Sequence, residues 1–195
     1  MHSIQVEVSP ATAPAQAIVD WDGAGYVTCK VSYPAVVGPA YALRAEIDSA
    51  FRIGPQRYLI TIGSLVLTLD DERRLSEVEW FANPGQWQLR ALARPVGRAG
   101  QPCFAGPFDD DGRLSVDFDG EPEAVYDRER RTLCLGWGRP LAWCEVAPEL
   151  ALGVDGNGTL VCICLGNLDV PERDLLEPKP PAGWMSGLRR RLRGA

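Results

Sequence analysis

Asp70-Asp71-Glu72-Arg73-Arg74-Leu75-Ser76-Glu77-Val78 runs from an acidic turn into Leu and then a β-branched residue three positions on. The phrase recurs. Asp109-Asp110-Asp111-Gly112-Arg113-Leu114-Ser115-Val116 is a looser copy with its Val one residue early, and Asp155-Gly156-Asn157-Gly158-Thr159-Leu160-Val161-Cys162-Ile163 is another. Asp and Asn beside Gly supply the positive-φ positions of tight turns, and apolar/polar alternation marks the strand that returns. Each copy therefore reads as the turn and return strand of a β-hairpin. The expected fold class is mainly β: antiparallel meander sheets, in two imperfectly repeated halves forming a sandwich or open barrel, with little helix.

The surrounding sequence extends this pattern. Tyr58, Ile60 and Ile62 form one stripe and Leu65, Leu67 and Leu69 another, with Gly63-Ser64 as the bend between them. Ile4, Val6 and Val8 alternate with Gln5 and Glu7 in a strand over 4–9, and strands over 17–20 and 26–33 pair through Asp22-Gly23. Residues 41–52 read two ways. Leu43, Ile47 and Phe51 at four-residue steps suit a helix, whereas Leu43, Ala45 and Ile47 in alternation suit a strand, which the neighbouring strands favour. Downstream, 75–81 returns, and Trp87, Leu89 and Ala91 mark a strand over 86–93. Further strands are expected over 114–118, 124–126, 132–136, 142–146, 150–154 and 159–165. The organisation is an N-terminal β half (1–94), a Gly- and Pro-rich connection (95–107), a C-terminal β half (108–170), and a Pro-rich linker with a basic tail (171–195).

At 195 residues, with 46% hydrophobic and 24% charged residues, the chain is large enough to bury a core without covalent help. Its six Trp residues are expected as core anchors. The net charge is −6, and residues 174–195, with five basic and two acidic side chains, leave the first 173 residues at −9. Such a body repels nucleic acid and favours basic partners or simple solubility. Arg outnumbers Lys 18 to 2, and Ala, Gly and Pro are abundant, as in the coding of GC-rich bacteria. The start, Met1 to Val8, has neither the basic residues nor the apolar run of a signal peptide, and no stretch reaches the ~18 apolar residues of a membrane span. The expected location is the cytoplasm, with all six cysteines reduced and no integral membrane association.

Val125-Tyr126-Asp127, Thr132-Leu133-Cys134-Leu135, Val154-Asp155, Gly158, Leu160-Val161 and Ile163 make up a Tyr-Asp strand followed by an Asp-x-x-Gly-x-Leu-Val hairpin. In this pattern residues 125–165 resemble a small bacterial family of uncharacterised β domains. Cys164 stands where that family usually carries Glu, and Arg131 where it usually carries an acidic residue. The resemblance implies β structure over about a fifth of the chain and brings no activity with it.

Chemistry-bearing residues are few. The single His, His2, lies at a chain end, so a Ser-His-Asp triad or a His-based metal centre has no base or ligand set. Cys162 and Cys164 share one face of a strand, and Cys134 and Cys144 are placed to face each other across a hairpin. Without a Cys-x₂-Cys knuckle, these thiols read as small core side chains. Asp155-Gly156-Asn157-Gly158-Thr159 begins like a calcium loop, but the twelfth position is Gly166, so turn chemistry is the reading. Gly23-x-Gly25 and Gly136-x-Gly138 have no helix after them to cradle a phosphate. No cofactor or metal is expected.

The candidate sites are an acidic surface of Asp109, Asp110, Asp111, Asp117 and Asp119, and a partner-binding tail of Trp184, Leu188, Arg189, Arg190, Arg191, Leu192 and Arg193. Trp184, Leu188 and Leu192 share a helical face, suited to a partner's groove or to weak contact with anionic lipid. The functional expectation is a non-catalytic cytosolic interaction protein, such as an immunity or antitoxin-like accessory factor binding a basic protein. One alternative is a carboxylate- or metal-dependent enzyme using Asp109, Asp111, Asp117 and Asp119. Another is a peripheral protein recruited by its tail.

Overall fold

The computed structural model describes residues 3–11, 13–34, 57–117 and 122–176. Residues 41–52, Asp119 and the tail from Trp184 to Arg193 lie outside the described residues. The fold is mainly β, as expected, and is built on two large sheets.

The first sheet contains β2 (Gln16–Trp21), β3 (Tyr26–Ser32), β4 (Tyr58–Ile62), β5 (Leu65–Leu69), β6 (Leu75–Phe81) and β10 (Arg113–Ser115), in the order β10-β4-β5-β6-β3-β2. The second contains β7 (Gln88–Leu89), β8 (Arg98–Ala99), β11 (Glu123–Asp127), β12 (Thr132–Gly136), β13 (Ala142–Ala147), β14 (Leu150–Val154) and β15 (Leu160–Leu165). Its order is β7-β11-β12-β15-β14-β13-β8. A two-stranded ribbon pairs β1 (Gln5–Ser9) with β9 (Gln101–Ala105).

The two sheets repeat one topology. Read from β4, the first runs β4-β5-β6-β3-β2; read from β13, the second runs β13-β14-β15-β12-β11, and every pairing in both series is antiparallel. The ribbon obeys the same relation. Val6 of β1 lies opposite Phe104 of β9. The Val6 N–H donates to Gly158 O and the Phe104 N–H to Arg73 O, both at 2.9 Å. Gly158 and Arg73 occupy the same position of equivalent turns, so the ribbon ties the two β-halves together through matching carbonyls.

Alternation explains the core. In the first sheet Ile60, Ile62, Leu65, Leu67, Leu69, Val78, Val27 and Cys29 point inward; in the second, Leu133, Leu135, Val146, Leu152, Ile163 and Leu165 do so. All belong to one hydrophobic cluster between the sheets, which Ile4, Val6 and Phe104 of the ribbon also enter. Burial of whole rows of Leu, Ile and Val, each contributing about 1.5–3 kcal/mol, holds the layers face to face.

Several expectations need correction. The strand expected over 86–93 shrinks to Gln88–Leu89, because Pro84–Gln86 forms a 3-10 turn capped by Asn83 and the chain after Leu89 leaves the ladder. Residues 95–107, read as a loop, contain β8 and all of β9. The second acidic phrase makes the expected turn, but its return strand β10 runs parallel to β4 instead of closing a hairpin. The linker expected from Pro171 begins with a short helix, α1 (Glu172–Leu176), docked through buried Asp174 and Leu175.

Candidate functional site

The three acidic phrases adopt one hydrogen-bonded geometry. In each, the first Asp donates its N–H to the carbonyl four residues on and accepts at its own carbonyl the N–H three residues on. Its Oδ1 also takes the N–H groups two and four residues on: Glu72 and Arg74 for Asp70, Asp111 and Arg113 for Asp109, Asn157 and Thr159 for Asp155. The third residue after each Asp has positive φ: Arg73 at 59°, Gly112 at 74° and Gly158 at 78°. A short carboxylate at the first position satisfies N–H groups that the turn removes from the ladder. Asp22 does the same between β2 and β3, with Oδ1 accepting from Ala24, Gly25 and Tyr26.

This geometry accounts for part of the candidate acidic surface. Asp109 is a turn acceptor, Asp110 and Asp111 are exposed in the same turn, and Asp117 is exposed past the far end of β10. The turn packs against Tyr58 and Phe108, over whose rings the Arg73 guanidinium sits at 4.9 and 5.3 Å. The described residues contain no group of three or more His, Cys, Asp or Glu side chains placed to hold a metal ion.

A different acidic surface is not legible in the sequence, because it spans four strands. On the outer face of the first sheet, one register row carries Asp20, Thr28, Glu79 and Val66, and the next carries Ile18, Lys30, Glu77 and Thr68. Tyr26 and Phe81 pair beside these rows with ring centroids 5.2 Å apart. Ile18, Asp20, Tyr26 and Lys30 are exposed, and Glu77 and Glu79 half-buried. Period-2 alternation identifies these as solvent-side residues, but only the strand order makes them neighbours.

The outer face of the second sheet is crossed by a strap. Residues 90–97 run from β7 on one edge to β8 on the other. The Arg90 N–H donates to Tyr126 O (3.3 Å), that of Leu92 to Asp127 Oδ2 (2.8 Å) and that of Gly97 to Glu145 Oε1 (3.3 Å). Gly97 passes so close to Trp143 that a Cβ would collide with its backbone. Beneath the strap lies a groove of about 370 Å³ lined by Arg94, Arg130, Glu145 and Glu149, with Ala151 and Cys164 in its floor. Its charges are mixed. The Asp127 carboxyl is held below the usual carboxylate range by the N–H groups of Leu92 and Arg130.

The thiols are largely structural. Cys134 and Cys164, directly opposite across β12 and β15, form a disulfide with Cα atoms 4.1 Å apart. This corrects two expectations: not all six cysteines are reduced, and the partner of Cys134 is Cys164. Cys144 faces the other way into the core, its thiol 3.8 Å from Gly100 O. Burial pushes the thiol of Cys144 up to about 11 and that of Cys162 to about 12. Burial first, then the carboxylates of Glu149 and Glu77, pushes Cys29 to about 12. Groups that stay protonated at neutral pH are poor nucleophiles and poor metal ligands.

At one end of the sandwich, Trp80 and Trp87 stack at 5.8 Å, Trp21 meets Trp87 edge-on at 6.1 Å, and Tyr126 meets it at 5.7 Å. The Trp21 Nε1–H donates to Asp174 of α1 at 2.9 Å, and the Tyr126 hydroxyl to Leu168 O at 2.8 Å. Trp21, Trp80 and Trp87 are core anchors, as expected, whereas Trp137 and Trp143 are half-buried. Among the described residues no helix is long and apolar enough to cross a membrane. No protein-family model matches the chain, and no curated protein matches its sequence.

Proposed function

We propose that the chain is a non-catalytic binding protein whose acidic body receives a basic protein partner, in the manner of an immunity or antitoxin-like accessory factor. The observation that supports this reading most directly is the outer face of the first sheet. Asp20, Glu77 and Glu79 lie in adjacent register rows, with Lys30 the basic residue among them and the Tyr26–Phe81 pair at their side. Carboxylates around an aromatic pair suit a Lys- or Arg-rich surface, with charge setting the rate and register of docking and the rings adding contact area. The turn aspartates serve their own backbones and are secondary to this face.

The test is isothermal titration of the full chain against the purified basic products of its neighbouring genes, alongside the Glu77→Gln/Glu79→Gln variant. The reading expects a salt-sensitive complex weakened at least tenfold in the variant. A complex that ignores both salt and the substitutions, or no complex with any of these proteins, overturns it.

A further inference from the structure

The two large sheets have four edges, and among the described residues one of them differs from the other three. On the second sheet the edges are closed by β7 and β8, two-residue strands lying parallel to β11 and β13. On the first, β4 is closed by the parallel three-residue strand β10. By the internal repeat, β2 is the counterpart of β11, yet among the described residues it has a neighbour on one side only, β3. It is six residues long, without Pro, Lys or a bulge, and carries Ile18 at 72% exposure. Natural sheets seldom leave such an edge open, because it is a template for another strand.

The ladder shows which groups are offered. The Asp22 N–H donates to Tyr26 O, so the alternate residues Gln16, Ile18 and Asp20 exchange hydrogen bonds with β3. Ala17, Val19 and Trp21 therefore turn their N–H and C=O groups to the side on which the described residues place no strand. We propose that this edge pairs antiparallel with the β2 edge of a second copy of the chain, joining the two first sheets across a twofold axis at Ile18. Outward-facing groups must meet outward-facing groups, which allows few registers. Pairing Ala17 with Val19 of the other copy sets Ile18 against Ile18 once, on the axis, and Gln16 against Asp20 twice, once at each end. Shifting the register one step in either direction sets Ile18 against Asp20 or Gln16. Only the central register matches apolar to apolar and amide to carboxylate, and it keeps the two Asp20 side chains apart.

A six-residue seam falls short of the roughly 1,000 Å² that a stable dimer buries, so the association is concentration-dependent. It uses the strand edge, whereas the proposed basic partner uses the sheet face; the two share Asp20, but Glu77 and Glu79 lie on β6 away from the seam, so the Glu77→Gln/Glu79→Gln variant and the seam variants test the two readings separately. The test is sedimentation equilibrium of the full-length chain from about 10 µM to about 1 mM, a range that brackets weak interfaces. Dimerisation is expected within it. Gln16→Glu sets two carboxylates against each other at both ends of the seam and is expected to weaken association about tenfold. Adding Asp20→Lys to that variant turns both contacts into ion pairs and restores association. Ile18→Lys, at an exposed site that leaves the fold intact, abolishes it. A monomer throughout the range overturns the proposal, and so does a dimer indifferent to Ile18→Lys or not rescued by the double change.

Discussion

A single carboxylate oxygen organises each acidic turn. Asp70 Oδ1 accepts two N–H groups while Oδ2 receives the Arg74 guanidinium at 2.7 Å. Asp70→Ala removes these bonds and is expected to cost about 1–2 kcal/mol in urea unfolding, with Asp70→Asn recovering the turn part. At the equivalent of Arg73, Gly158 has φ 78°, and Gly158→Ala is expected to cost about 1–2 kcal/mol, because an L side chain in that region meets its own carbonyl. The buried thiols set the alkaline limit. Their folded values are raised, so the stability they contribute is whole below the ordinary thiol value of 9.0 and drains as pH climbs towards 12. Asp127 and Asp155 have lowered values, so their contribution is whole above 3.8 and drains as pH falls below it. Urea midpoints measured from pH 3 to 11 are expected to decline at both ends, and replacing Cys29 and Cys162 with Ala should flatten the alkaline limb.

At the scale of the element, the disulfide is the sharpest test of register. Cys134 and Cys164 are 30 residues apart in sequence, and closing such a loop restricts the unfolded chain by about 3–4 kcal/mol. Thiol titration of the denatured, unreduced protein is expected to find four free thiols, Cys29, Cys103, Cys144 and Cys162. Cys134→Ser should lower the melting temperature and release a fifth thiol, whereas Cys144→Ser should leave the bridge in place. The strap gives an element-scale contrast to the β2 edge, which has no second neighbour among the described residues: its ends supply β7 and β8, and its middle covers the face where Ala151, Cys162 and Cys164 pack with Trp143.

At the scale of the molecule, one core joins two copies of one topology. Leu67 in the first sheet and Leu152 in the second are fully buried in the same cluster. Leu67→Ala and Leu152→Ala are each expected to destabilise the whole protein by about 3–5 kcal/mol, in a single transition seen alike by Trp fluorescence and far-ultraviolet circular dichroism. Separate transitions for the two variants would mean that the halves fold alone. The shared topology also explains why two of the acidic phrases, at Asp70 and Asp155, match so closely. They occupy equivalent hairpins, whereas the phrase at Asp109 serves the connection.

The sequence by itself determined what is local. Alternation over 65–69, 75–81, 132–136 and 150–154 placed those strands to the residue, and Asp with Gly placed the reversals, because side-chain direction and positive φ are decided within a few residues. The tertiary structure decided what depends on neighbours far along the chain. It set Cys164 opposite Cys134, drew the strands β8 and β9 out of a Gly- and Pro-rich connection, and gathered Asp20, Glu77 and Glu79 on one face. A strand carries the same period whichever strand lies beside it. Its partner is chosen by how whole sheets bury their apolar sides against each other, and no short stretch of sequence contains that choice.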